Sequence, residues 1–136
     1  MKGFLEGKNI VITGAGSGIG KAIAIATAKE GANIVVADYG VALDGSEPTS
    51  EIAESTSEEI RALGVEAIPV AGDVSKMETG EQVISAAVEN WGSVDGVVCV
   101  AGILRERMLF NMSEDEWDAV IAVHLKGLFT VYRHAM

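Results

Sequence analysis

Ile10-Val11-Ile12-Thr13-Gly14-Ala15-Gly16-Ser17-Gly18-Ile19-Gly20 decides how the rest of the 136-residue chain is read. The stretch begins as β-branched apolar residues, the composition of a strand buried on both faces. It then breaks into four glycines within seven residues, Gly14 to Gly20, and resumes at Ile19 with a helical apolar pattern. A strand, a glycine turn and a helix start, in that order, build an anion site. The helix N-terminus presents unpaired N–H groups and a partial positive charge, and glycines let the backbone come close to a phosphate. The spacing G-x-G-x-x-G fails, because Ile19 and Lys21 stand where the third glycine belongs. What fits is Thr-Gly-x-x-x-Gly-x-Gly on Thr13, Gly14, Gly18 and Gly20.

Outward from this turn, apolar strands and amphipathic helices alternate. Lys8–Thr13 reads as a first strand and Ile19–Glu30 as a helix with Ile19, Ala22, Ile23, Ala26 and Thr27 on its inner face, closed by Gly31. Asn33–Ala37 is a second strand, followed at Asp38 by a polar loop, Tyr39–Ser50, long enough to suggest a function. A second helix carries Ile52, Thr56, Ile60 and Leu63 and stops at Gly64; Val65–Val70 is a third strand. Ser75-Lys76-Met77-Glu78 reads as a capping box opening a third helix, with Met77, Ile84, Ala87, Val88 and Trp91 inward. Val94–Val100 is a fourth strand. Ser113-Glu114-Asp115-Glu116 opens a last helical pattern bearing Trp117, Val120, Ile121, His124, Leu128, Tyr132 and Met136. Such alternation predicts an α/β domain with a doubly wound parallel sheet of about four strands, in the order 3-2-1-4. Ligands of such sheets bind beyond the carboxyl ends of the strands at the switch point, where Gly14–Gly20 and Ala101-Gly102 both fall.

Composition narrows the function. The formal net charge of −10 argues against nucleic acid, which needs a basic stripe. The single cysteine, Cys99, excludes an intrachain disulfide and fits a reducing, cytoplasmic compartment; in its apolar strand it reads as an inert core thiol. No signal peptide is expected at Met1–Lys8, no apolar run reaches membrane-spanning length, and no His, Cys or carboxylate cluster has metal-ligand spacing.

Asp38 ends the second strand about twenty residues after the glycine turn, where a carboxylate can accept hydrogen bonds from both ribose hydroxyls of NAD. The alternative is a loop aspartate closing an Asx-turn before Gly40. A 2′-phosphate beside Asp38 would meet like charge, and neither Ser17 nor Tyr39 is basic, so the cofactor expected is NAD over NADP.

The Thr-Gly-x-x-x-Gly-x-Gly motif with its flanking pattern resembles the short-chain dehydrogenase/reductase family, and the likeness extends over almost the whole chain. The resemblance implies a Rossmann-type domain over residues 1–136 that binds NAD through Gly14, Ser17, Gly18, Ile19, Gly20, Asp38, Asp73, Val74, Ala101 and Gly102. In that family an Asp-hydrophobic pair, here Asp73-Val74, holds the adenine ring. Cys99-Val100-Ala101-Gly102 stands where the family has Asn-Asn-Ala-Gly; the small residues remain, while the loss of two amides implies a small loss of rigidity. His124 occupies the place of an asparagine that bends the helix and holds a water in a proton relay. Imidazole could serve similarly; the alternative is a buried histidine bonded to a helix carbonyl. His134 shows no evident partner.

Three stretches resemble the (3R)-hydroxyacyl-CoA dehydrogenase branch: Val35-Val36-Ala37-Asp38-Tyr39-Gly40, Gly102-Ile103-Leu104-Arg105-Glu106-Arg107 and Val123-His124-Leu125-Lys126-Gly127. The family's chemistry uses a tyrosine as acid/base, a lysine four residues on, and a serine that polarises the carbonyl. None of that triad is present: Leu43 follows Tyr39 at that spacing and Met136 follows Tyr132. The chain thus resembles the cofactor-binding half of a dehydrogenase without its catalytic half. Two functions stay open: an oxidoreductase moving hydride between NAD(H) and a secondary alcohol or ketone, possibly a 3-hydroxyacyl-CoA, or an inactive nucleotide-binding module acting through a partner chain. A homo-oligomer is expected, because Val97–Val100 would be an apolar sheet edge and the helix bearing Leu128 and Tyr132 resembles the family's dimer-forming helix.

Overall fold

The computed structural model describes residues 3–41, 46 and 48–136. A parallel sheet of β1 (Asn9–Thr13), β2 (Asn33–Asp38), β3 (Ala67–Ala71) and β4 (Gly96–Cys99) runs in the spatial order 3-2-1-4, as the alternation predicts. Val11 lies opposite Val35 on one side and Val97 on the other. Successive side chains of a strand point to opposite faces, so β1 and β2 serve two cores. Ile10, Ile12, Ile34 and Val36 pack with Ala24 and Ala28 of α1 (Gly18–Lys29) and with Ala53 and Ile60 of α2 (Glu51–Arg61). Val11, Val35 and Ala37 pack with Val83, Ile84 and Ala87 of α3 (Met77–Trp91) and with Val131 of α5 (Gly127–Ala135). Helices on both faces make the sheet doubly wound.

The amino ends of the strands are stitched by polar groups that periodicity does not reveal. The Asn9 amide donates to Ser93 Oγ at 3.1 Å, the Asn33 amide to Asn9 Oδ1 at 3.0 Å, and the Glu66 N–H to Asn33 Oδ1 at 3.1 Å. Asp95 accepts from the Asn9 N–H at 2.8 Å. These bonds fix the register of all the strands at the end away from the glycine turn.

Several helix faces differ from the expected ones. The buried stripe of α1 is Gly20, Ala24 and Ala28, while Ala22 and Ala26 are exposed and Ile19 is 74% exposed. The helix approaches the sheet so closely that only small residues fit inward, and Ile19 lines the cavity described below. Leu63 of the second expected stripe is likewise exposed, beyond the end of α2. On α3, Met77 and Val88 are exposed and Thr79 and Gly80 are buried, because α5 lies against that side; a Cβ on Gly80 would stand 2.2 Å from Thr130 O. The capping box at Ser75 does not form. Asp73 Oδ1 takes both the Ser75 N–H (2.9 Å) and its hydroxyl (2.7 Å), and α3 begins after Lys76. The second box does form, with Ser113 Oγ accepting from Glu116 N at 3.1 Å.

The last helical pattern is three pieces: α4 (Glu114–Ile121), a π-helical turn (Ala122–Lys126) and α5. Its inner face is Gly127, Thr130 and Val131, and the anticipated stripe of Trp117, Ile121, His124, Leu128, Tyr132 and Met136 is exposed instead. His134 is not without a partner; its Nδ1 lies 2.7 Å from Thr130 O.

Candidate active site: a cavity at the switch point

Above the carboxyl ends of β1 and β4 opens a cavity of about 380 Å3. Gly14, Ser17, Ile19 and Gly20 line it from the glycine turn, Asp38 from β2, Asp73 and Val74 from the segment after β3, and Ala101 and Gly102 from the segment after β4. Elements far apart in sequence thus meet where the strand order reverses. Gly18 alone of the expected binding residues does not line the cavity. Its φ of +55° opens α1, and a Cβ there would meet nothing, so its requirement is conformational.

The turn is tight because neighbouring backbones leave no room. Gly14 has φ +67°, and its Cβ would stand 2.7 Å from Ala101 N; a Cβ on Gly20 would stand 2.0 Å from Gly14 O. Thr13, wholly buried, ties the turn to β4: its Oγ1 accepts from Val100 N at 3.2 Å and Ala101 N at 3.3 Å. That hydroxyl braces the strand ends where the two missing amides implied a loss of rigidity. Ser17 stands at the N-cap of α1, and its side chain makes no capping bond. The first turn of α1 holds no acidic residue, whereas α2, α3 and α4 all carry glutamates there. The positive end of α1 is therefore not offset by a carboxylate in its own first turn.

Asp38 makes the Asx-type bond and also lines the cavity. Oδ1 accepts from Gly40 N at 2.6 Å, the Asx-type bond, and Oδ2 accepts from Gly16 N at 2.8 Å. Each carboxylate oxygen has lone-pair capacity beyond the one bond it accepts here. Gly16 permits this contact, since its Cβ would fall 2.8 Å from Asp38 Oδ2. Asp73 is oriented by Ser75, and Val74 by α5: Thr130 Oγ1 donates to Val74 O at 2.6 Å, and a Cβ on Gly127 would press within 2.8 Å of Val74 Cγ2. No lysine, arginine or histidine lines the cavity among the described residues.

Sequence reasoning missed Tyr39, Val41, Gly72, Val100, Ile103 and Val123, which complete the lining. Ile103 and Val123 come together only through the tertiary fold, and nothing local marks them. His124 is bonded neither to a helix carbonyl nor toward the cavity. Its Nε2 lies 2.9 Å from Ile103 O and 3.2 Å from Ile103 N, and His124 lines a smaller cavity of about 140 Å3 that shares Val74, Val100, Ala101 and Val123 with the first. Part of the loop after β2, at 42–45 and 47, lies outside the described residues.

Cys99 is half-buried on edge strand β4. Burial pushes its thiol up, against hydrogen bonds with Tyr132 and Thr13 that lower it, so it is a protonated thiol rather than a nucleophile. Outside the cavity, the Arg107 guanidinium holds the Glu116 carboxyl below the usual range. No helix is long and apolar enough to cross a membrane, and no metal-holding group of side chains occurs among the described residues.

Comparison with known proteins agrees with this geometry. A hydroxyacyl-CoA dehydrogenase of Mycobacterium tuberculosis is 47% identical over 131 residues, which cover 96% of this chain and 40% of that protein. The peroxisomal multifunctional enzyme type 2 of Mus musculus is 38% identical over 130 residues, 96% of this chain and 17% of its own length. Among solved structures, a short chain dehydrogenase from Mycobacterium avium superposes with a TM-score of 0.88 at 48% identity, covering 98% of this chain and 48% of that one. The chain therefore spans less than half the length of these relatives. Residues 8–136 match the short chain dehydrogenase family, and to that family this chain belongs.

Proposed function

We propose that this chain is the NAD-binding part of an oxidoreductase acting on a secondary alcohol or ketone. The observation that carries the proposal is the meeting of an uncompensated helix N-terminus, a glycine cradle and the Asp38 carboxylate in one cavity. Gly14 and Gly20 would let the backbone reach the pyrophosphate, with Ser17 and the first N–H groups of α1 as donors. Asp38 would receive the adenosine ribose hydroxyls, Asp73 and Val74 the adenine, and Ala101 and Gly102 the second ribose. NAD would supply the hydride-accepting ring. Every other task here is binding and orientation: Thr13 fixes the floor, Asp38 the loop after β2, and His124 the segment after β4. A cavity with two carboxylates and no cationic side chain among the described residues favours NAD over a 2′-phosphorylated cofactor.

The substrate class proposed is a 3-hydroxyacyl thioester, supported by the hydroxyacyl-CoA dehydrogenase named above. The proton partner for such chemistry is not among these residues, since no Tyr-x-x-x-Lys occurs in them. General acid–base catalysis contributes about 10²–10⁴-fold, so the 136-residue chain binds the dinucleotide and does not turn over. NADH formation with a panel of alcohols and 3-hydroxyacyl-CoA thioesters is the test. Turnover by the purified chain would contradict this assignment, and so would failure to bind NAD.

A homo-oligomer is part of the same proposal. Leu125, Leu128, Phe129 and Tyr132 form an exposed apolar face on the π-turn and α5, and β4 is a sheet edge. Sedimentation at micromolar concentration should show association; a clean monomer would refute it.

A further inference from the structure

Thr56 is a polar residue on the inner stripe of α2, buried on the same face as Ala53 and Ile60. The next residue, Ser57, satisfies its hydroxyl within the helix, donating to Ala53 O at 2.8 Å. Thr56 reaches outside its helix instead: its Oγ1 donates to Gly16 O at 3.2 Å, forty residues back in the chain. Gly16 is held on its other side too, since its N–H donates to Asp38 Oδ2 at 2.8 Å. The two bonds pin the peptide groups flanking Gly16 Cα, and so restrict the φ and ψ of a residue with no side chain to restrict them. Ile52, one turn before Thr56, lies against the same residue, where a Cβ on Gly16 would collide with Ile52 Cγ2. Neither Gly16 nor Thr56 lines the larger cavity; Ser17 and Asp38 do.

We propose that Thr56 is a positioning residue that sets the glycine turn for its ligand, acting through Gly16 on Ser17 and Asp38. In a trans peptide the C=O and the following N–H point in opposite directions. Holding Gly16 O toward α2 therefore turns the Ser17 N–H away from α2. The same hold keeps the Gly16 N–H on Asp38 Oδ2, and that bond, with the Gly40 N–H on Oδ1, fixes the plane of the carboxylate. Without the hydroxyl, Gly16 O is a buried acceptor that has lost this donor, and the glycine regains its conformational freedom. A residue of α2 that touches no ligand thus orients two residues that line the cavity.

The consequence for ligand affinity rests on the dinucleotide reading above; the hold on Gly16 does not. Thr56→Val removes the hydroxyl at nearly constant volume, and Thr56→Ser keeps it. Hydrogen exchange followed by NMR in the free 136-residue chain should show the Gly16 amide of Thr56→Val exchanging about tenfold faster than in the native chain, beyond any change at Ile34–Val36 of β2. Thr56→Ser should keep the native protection. In calorimetric titration NAD should bind Thr56→Val about threefold to tenfold more weakly, the effect of one lost hydrogen bond. The NAD-over-NADP affinity ratio should fall about threefold, because a carboxylate that has lost its anchor discriminates less between the two; Thr56→Ser should restore both. A uniform rise in exchange along the chain overturns the proposal, as do NAD and NADP affinities that fall together. If Thr56→Val does not fold, the native chain decides: its Thr56 hydroxyl proton should be protected from water and show a nuclear Overhauser contact to Gly16, and absence of that contact overturns the proposal. Loss of Gly16 protection in Thr56→Val, with no binding of either dinucleotide by the native chain, would support the hold and refute the dinucleotide reading.

Discussion

Replacing Asp38 by asparagine removes one charge and almost no volume, so its effects separate into two terms. The first is local. Both carboxylate oxygens accept backbone N–H groups, Gly16 at 2.8 Å and Gly40 at 2.6 Å. Asparagine has a single acceptor oxygen, so one bond weakens from charge-assisted to neutral and the other N–H is left facing the amide NH2, a combined cost of about 2–4 kcal/mol. The second term is cofactor choice. A 2′-phosphate at ~4 Å from the carboxylate is opposed by about 4 kcal/mol per unit pair at an effective dielectric of ~20. Asp38 is partly exposed, and solvent screening should leave about 1–2 kcal/mol of this, or roughly 5- to 30-fold in the affinity ratio. Calorimetric titration with NAD and NADP should therefore show the native chain preferring NAD and Asp38→Asn losing most of that preference, with a melting point lower by several degrees. A native chain that binds NADP more tightly, or an asparagine variant that keeps the full ratio, would refute the reasoning.

Gly20→Ala should abolish NAD binding and destabilise the fold by about 1–3 kcal/mol despite better helix propensity, since the new Cβ would lie 2.0 Å from Gly14 O; an equally stable variant that binds would contradict the close packing. Thr13→Val strands the Ala101 N–H and should cost about 1–3 kcal/mol in chemical denaturation, with NAD affinity falling as the wall after β4 loosens. Cys99 should react with iodoacetamide at pH 8 at least about tenfold more slowly in the folded than in the unfolded chain. Because its folded pKa is raised, the associated stability is complete below the ordinary thiol range and is lost as pH rises through the folded value. Rapid modification at pH 8 would show the thiol to be unprotected.

The topology was legible because it depends on order rather than on faces. Strand runs such as Ile10–Thr13 and Asn33–Ala37, separated by helical segments, leave few parallel arrangements, and the order 3-2-1-4 is the one observed. The helix faces were less legible where packing is close. In α1 the inward residues are glycine and alanines, which a hydrophobicity pattern ranks below Ile19, although Ile19 lines the cavity. The outer surface of α5 reads as core for the converse reason: Leu128 and Tyr132 are large and apolar, yet the side against α3 is Gly127, Thr130 and Val131, chosen for fit. The motif residues that line the cavity were legible because glycine spacing and a strand-ending aspartate are local signals. What remained hidden was tertiary: Thr13 bracing β4, the Asn9–Asn33 stitch, and His124 reaching Ile103 across twenty-one residues.

The central claim is that the Gly14–Gly20 turn, Asp38, Asp73-Val74 and Ala101-Gly102 together receive NAD. Mapping backbone amide shifts of the labelled chain during an NAD titration tests it most directly. The account predicts saturable shifts concentrated at residues 14–20, 38–41, 72–74 and 100–103, with the apolar face of α5 unmoved. Absence of saturation, or shifts centred on Leu125–Tyr132 instead, would contradict it.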